Sequence, residues 1–248
     1  KQVWDNRAAL SLTPEQAKLL EETYEGMVNA GAQLTDAEKE QVKAINAELS
    51  KVTTEFSQRV RAATVANALV VDSAAELAGL SQADIDAAAK LAVERGMPGK
   101  YVIALQNTTQ QPLLPSLENR DVREKLLKLS LTRAEQGDKN DTRELIARIV
   151  NLRAQKAALF GHDSWGSYAL VDRMAKKPET AIGFMTRMVP ALAATQEREA
   201  ALLNQMIAAE GGNHTVEPWD WYRYANKVKA ERYQLDEDKV MEYFQLDK

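Results

Sequence analysis

The sequence has no cysteine, which excludes a disulfide framework, a thiolate metal cluster and a cysteine nucleophile. Its 11 glycines and 7 prolines make 18 of 248 residues, well under the usual share of about 12% for the two together. With few breakers and 38 alanines, the composition favours helix. No apolar run approaches the roughly 18 to 20 residues that span a bilayer, and the start of the chain has no signal-peptide core. A net charge of -4, from 32 basic and 36 acidic residues, argues against binding to a phosphate backbone. Neither a membrane nor a nucleic acid is therefore an expected partner. The chain begins with Lys1 and ends in a periodic segment at Lys248. We expect a portion of something longer.

Helix start signals recur along the chain. Thr13-Pro14-Glu15-Gln16 is a capping box with proline at the first helical position. The helix it opens runs to about Asn29, with Gly31 placed for a left-handed exit. Thr35-Asp36-Ala37-Glu38 opens a second, long helix on which Val42, Ile45, Leu49, Val52 and Phe56 recur at spacings of three and four. The two read as an antiparallel helical hairpin. Leu69-Val70-Val71 and the run from Tyr101 to Leu105 are the stretches with strand character, enough for one small ribbon. Between them Ser73 and Ser81 each open a helical segment. Asn107-Thr108-Thr109-Gln110-Gln111-Pro112 reads as a loop.

Further on, the pattern predicts a helix from Asp121 to about Gln136 and a capping box at Asp141-Thr142-Arg143-Glu144. The helix from that box ends at Gly161. A short helix over 164–175 follows, then a long one from Pro178 to about Glu210, in which Pro190 should introduce a kink. Pro218 restarts the helix and Asp236 caps a last one. The expected fold is mostly α, a multi-helix array with a long N-terminal hairpin and at most a two-stranded ribbon. The weakest join, near 106–118, divides the chain into 1–106, a helical hairpin with a small α/β segment, and 107–248, a second helical portion.

Little in the sequence carries chemistry. His162 and His214 lie in different loops, neither belongs to an i, i+4 pair, and His-Glu-x-x-His does not occur, so the helical zinc signature is missing. Each is expected to be a surface or capping residue. Gly161 and Gly166 have the spacing of a phosphate loop without its Lys-Ser/Thr. Glu21, Glu22, Glu25, Glu38, Glu40 and Glu48 fall on polar helix faces, where pairs such as Glu144 with Arg148 explain them better than acid–base work. No catalytic residue, no metal ligand and no substrate-binding residue is assigned. Glu217-Pro218-Trp219-Asp220-Trp221-Tyr222-Arg223-Tyr224 gathers four aromatics. On a helix Trp221 and Tyr224 share one face, Trp219 and Tyr222 a neighbouring one. That pattern suits a helix wedged between two layers, or the wall of a peptide-binding channel. A base-stacking platform is the weaker alternative in an acidic chain.

Taken in order, several strings resemble one family. They are 107–112, Thr132-Arg133-Ala134-Glu135 with Asn140-Asp141-Thr142-Arg143, Arg153-Ala154-Gln155 with Leu159-Phe160-Gly161, Met174-Ala175-Lys176 with Pro178, and Pro218-Trp219-Asp220-Trp221. The resemblance is to the bacterial peptidyl-dipeptidases, or dipeptidyl carboxypeptidases, of the thimet-oligopeptidase-like zinc metallopeptidases. It covers essentially the whole chain, and the strings after residue 106 are its specific part.

The resemblance implies a mostly helical protein with a deep channel, and zinc held by the histidines of His-Glu-x-x-His and a later glutamate. It places that motif downstream of the segment like Trp219-Asp220-Trp221, beyond Lys248. No metal ligand or catalytic residue maps onto this chain, so zinc belongs to the full-length parent and none is expected on this chain. The parent would release C-terminal dipeptides from oligopeptide substrates; the resemblance points to the cytoplasm, with the periplasm as the alternative. This chain alone would be an inactive portion of the channel wall, whose partner is the missing C-terminal catalytic half. Apolar surface left uncovered would favour self-association. The rival reading is a stand-alone helical module that binds a protein or peptide.

Overall fold

The computed structural model describes residues 1–106, 110–233, 239–240 and 242–244. In chain order its elements are α1 (Gln2–Asp5), α2 (Pro14–Asn29), α3 (Asp36–Ala66), β1 (Leu69–Val71), α4 (Gln82–Glu94), β2 (Tyr101–Ile103), α5 (Gln110–Leu113), α6 (Arg120–Leu131), α7 (Arg143–Leu159), α8 (Trp165–Ala169), α9 (Pro178–Ala209) and α10 (Pro218–Tyr233). Short 3-10 turns lie at Arg7–Ala9, Ala74–Leu77 and Glu242–Phe244. The fold is mostly α with one two-stranded antiparallel ribbon, as the composition and patterning required. The chain forms two compact units, Lys1–Phe56 with Glu144–Met185 and Ser57–Arg143 with Thr186–Lys248.

In the first unit the local signals act as read. Gln16 N–H donates to Thr13 Oγ1 at 3.3 Å, and Thr13 N–H returns to Gln16 Oε1 at 3.0 Å. Thr35 and Glu38 repeat the exchange at the start of α3. α2 leaves through Gly31 at φ 102°, where Ala32 N–H reaches back to Met27 O. The apolar stripe of α3 is buried against α7: Val52, Ile149 and Leu152 are enclosed by Ile45, Leu49, Phe56 and Leu145. α2, by contrast, contains no fully buried residue. A knot of aromatics closes this unit. Tyr168 on α8 lies against Phe160, His162 and Trp165, with centroids 4.9, 5.6 and 5.2 Å away. Its hydroxyl donates to Asn29 O at 2.9 Å, which ties α8 to the end of α2.

The second unit has two cores. One is built on the ribbon, with register Leu69↔Ile103, Val70↔Val102 and Val71↔Tyr101. Leu69, Val71, Leu77, Ile103, Leu105, Leu114, Leu117 and Leu126 are among its buried members. Gly79, at φ 92°, lets the backbone pass so close to Ser116 that a Cβ there would sit 2.1 Å from Ser116 O. That closeness permits the bond from Glu118 N–H to Ala78 O at 2.9 Å. The other core joins the end of α9 to α10 through Leu203, Ile207 and Tyr224, with Met206, Val216, Trp221 and Val228 around them.

Several boundaries differ from the sequence reading. The helical segment expected from Ser73 is present as a 3-10 turn over Ala74–Leu77. The loop expected over 107–112 ends sooner, because Gln110–Leu113 forms a helical turn; residues 107–109 lie outside the described residues. α6 stops at Leu131, five residues before Gln136. Beyond it the backbone is claimed by distant partners: Arg133 O accepts from Asn67 Nδ2, Arg133 Nη1 donates to Leu105 O, and Ala134 O accepts from Thr142 N–H. Asp141 does not form the expected box with Glu144; its carboxylate accepts from Gly137 N–H, Arg143 N–H and the Arg143 guanidinium. The helix after Ser164 ends at Ala169, ahead of a turn in which Lys176 takes φ 57°. α9 continues through Pro190. The cap at Asp236 lies outside the described residues.

Candidate functional site

The aromatic segment forms the first turns of α10. Pro218 opens the helix without needing a backbone donor, and the Asp220 carboxylate accepts from Glu217 N–H at 3.2 Å, a favourable place for an anion. The two faces expected from spacing are both present. Trp221 and Tyr224 enter the core with Leu203 and Ile207, while Trp219 lies between two cations, Arg120 at 5.4 Å and Lys128 at 5.1 Å from its ring centroid. Tyr222 is exposed.

Asp220 is the centre of the site and is fully buried. Arg120 donates through Nε at 3.2 and 3.1 Å and through Nη2 at 2.9 Å; Arg123 Nη2 donates at 2.8 Å. Arg123, itself only 2% exposed, spends its other donors on backbone: Nη1 on Leu117 O and Glu118 O, Nε on Trp219 O. Arg223 Nη1 reaches Ser116 O and Leu117 O. The cluster therefore collects the carbonyls of the 116–118 turn and clamps that turn and α6 to α10. Burial alone would raise the Asp220 carboxyl, but the hydrogen bonds from Arg123 and Arg120, with Glu217 N–H and the charge of Arg120, outweigh it and hold the pKa below the usual aspartate value. A carboxylate so supplied with donors stays ionised and has no capacity left for general-base work. Its role is to hold structure.

His214 reads from the sequence as a surface or capping residue. Its Nε2 is instead buried, 3.9 Å from Asp220 Oδ2, without a hydrogen-bond partner among the described residues, as is Trp219 Nε1. His162 belongs to the aromatic knot of the other unit. Within that knot burial pushes the Tyr168 phenol up. Of the carboxylates singled out in the sequence, Glu21 and Glu22 pair with Lys18, Glu40 pairs with Lys43, and Glu38 caps with Thr35. Arg148 pairs with Glu48 of α3 at 3.5 Å and not with Glu144, since α7 packs along α3. Among the described residues no group of three His, Asp or Glu side chains is arranged to hold a metal ion. No helix among them is long and apolar enough to cross a membrane.

Sequence reasoning missed Arg120 and Arg123, which stand about a hundred positions from Asp220. One signal was available: an Asp between two tryptophans, if buried with them, needs a cationic partner.

Helices of this kind, with a scaffold cluster and no catalytic constellation of their own, agree with the matches to known proteins. Residues 113–248 match the model of Peptidase family M3, and the chain belongs to that family. Dipeptidyl carboxypeptidase of Escherichia coli (strain K12) is 41% identical over 244 residues, 98% of this chain and 36% of that protein. Its counterpart from Salmonella typhimurium is 40% identical over the same shares. Oligopeptidase A of Haemophilus influenzae is 28% identical over 92% of this chain and 34% of its own length. The chain thus spans about a third of the length of the curated relatives it matches. Peptidases of family M3 are zinc enzymes, and the described residues do not fit that zinc.

Proposed function

We propose that this chain is a helical, non-catalytic portion of a zinc metallopeptidase that releases dipeptides from the C-termini of oligopeptides. The observation that carries the reading is the 41% identity to a dipeptidyl carboxypeptidase across 98% of the chain, in a sequence without a His-Glu-x-x-His string. The share of this chain in the activity is then mechanical. Its helices carry one wall for an oligopeptide, the Asp220 clasp keeps the turn at 116–118 and α10 in register, and the metal and its proton chemistry belong to residues outside it. A cytoplasmic compartment is part of the same proposal and rests on the family resemblance.

The test is to express the full product of the coding sequence and, separately, the 248-residue chain, and to incubate each with an N-terminally blocked oligopeptide. Mass spectrometry reads the products. Chelator-sensitive release of C-terminal dipeptides by the full product, with none by the 248-residue chain, is expected. Dipeptide release by the short chain, or a full product that removes single residues or nothing, would overturn the proposal.

A further inference from the structure

We draw no further inference here: the strongest candidate, the side-chain cluster at the start of α10 in which His214 Nε2 is buried 3.9 Å from Asp220 Oδ2 without a hydrogen-bond partner among the described residues, belongs to the site already described, where Asp220 Oδ2 already accepts from Arg120 and from Glu217 N–H.

Discussion

Replacing Asp220 with alanine removes the acceptor of four donors: Arg120 Nε and Nη2, Arg123 Nη2 and Glu217 N–H. Arg123 is left as a buried cation, keeping only backbone carbonyls for company. Breaking a buried ion pair from one side costs about 3–5 kcal/mol. Two features move the figure to the lower end: the Arg120 side chain is 31% exposed and can turn toward water, and Arg123 retains three carbonyl acceptors. We expect a loss of about 3 kcal/mol, or about 1 M in the urea midpoint if the slope is near 3 kcal/mol per M. Urea unfolding followed by tryptophan fluorescence suits the measurement, because Trp219 and Trp221 flank the substituted position. The double replacement D220L with R123M removes the charge along with its partner and should recover most of the loss. A loss in D220A of less than about 1 kcal/mol, the range of an exposed pair, would refute the argument that this cluster clamps α6 to α10.

Other expectations follow from the same geometry. Because the Asp220 carboxyl is held below its ordinary value, the unfolded chain takes up the proton first as pH falls; the stabilisation is present above about pH 4 and is lost as pH drops through the lowered folded value. The difference in urea midpoint between the natural chain and D220A should therefore shrink below about pH 4, and a constant difference down to pH 2.5 would count against the assignment. Leu117→Ala, at a fully buried position in the ribbon core, should cost about 2–5 kcal/mol in the same assay. Gly79→Ala meets both a positive φ and a carbonyl 2.1 Å from the new Cβ, so it should cost more than the roughly 1 kcal/mol of an ordinary left-handed alanine. Calorimetry showing no change in Tm would remove the close approach at Ser116. Tyr168→Phe deletes the bond to Asn29 O and leaves the aromatic knot, for a loss of about 1 kcal/mol by urea unfolding.

The clasp was half legible in advance. The spacing puts Trp221 and Tyr224 on one helix face and Trp219 and Tyr222 on a neighbouring one, without saying which faces the core; the structure seats Trp221 and Tyr224 there while Trp219 faces cations. Spacing within a helix is a local quantity. Which cations face Trp219, and that Asp220 is the reason they are there, depends on how α6 and α10 meet, and the chain separates those helices by about ninety residues. His214 shows the same limit: a lone loop histidine reads as surface, and only the packing of the loop before α10 brings its Nε2 beside a buried carboxylate.

What the sequence by itself determined were the features whose causes lie within a few residues. The boxes at Thr13 and Thr35, the extent of α2 and α9 and the mostly helical class arise from contacts no more than one turn apart, or from composition. Its peptide strings also identified the family, since identity along the chain needs no geometry. Only the tertiary structure decided where α6 ends, which glutamate Arg148 meets, why residue 79 is glycine, and that two compact units are each assembled from separate stretches of chain. Those outcomes are set by which backbone groups and charges find partners once distant segments pack. A carbonyl at Arg133 accepts from Asn67 in place of continuing its helix, and a local propensity of about half a kcal/mol per residue is small beside a set of partly buried bonds made together.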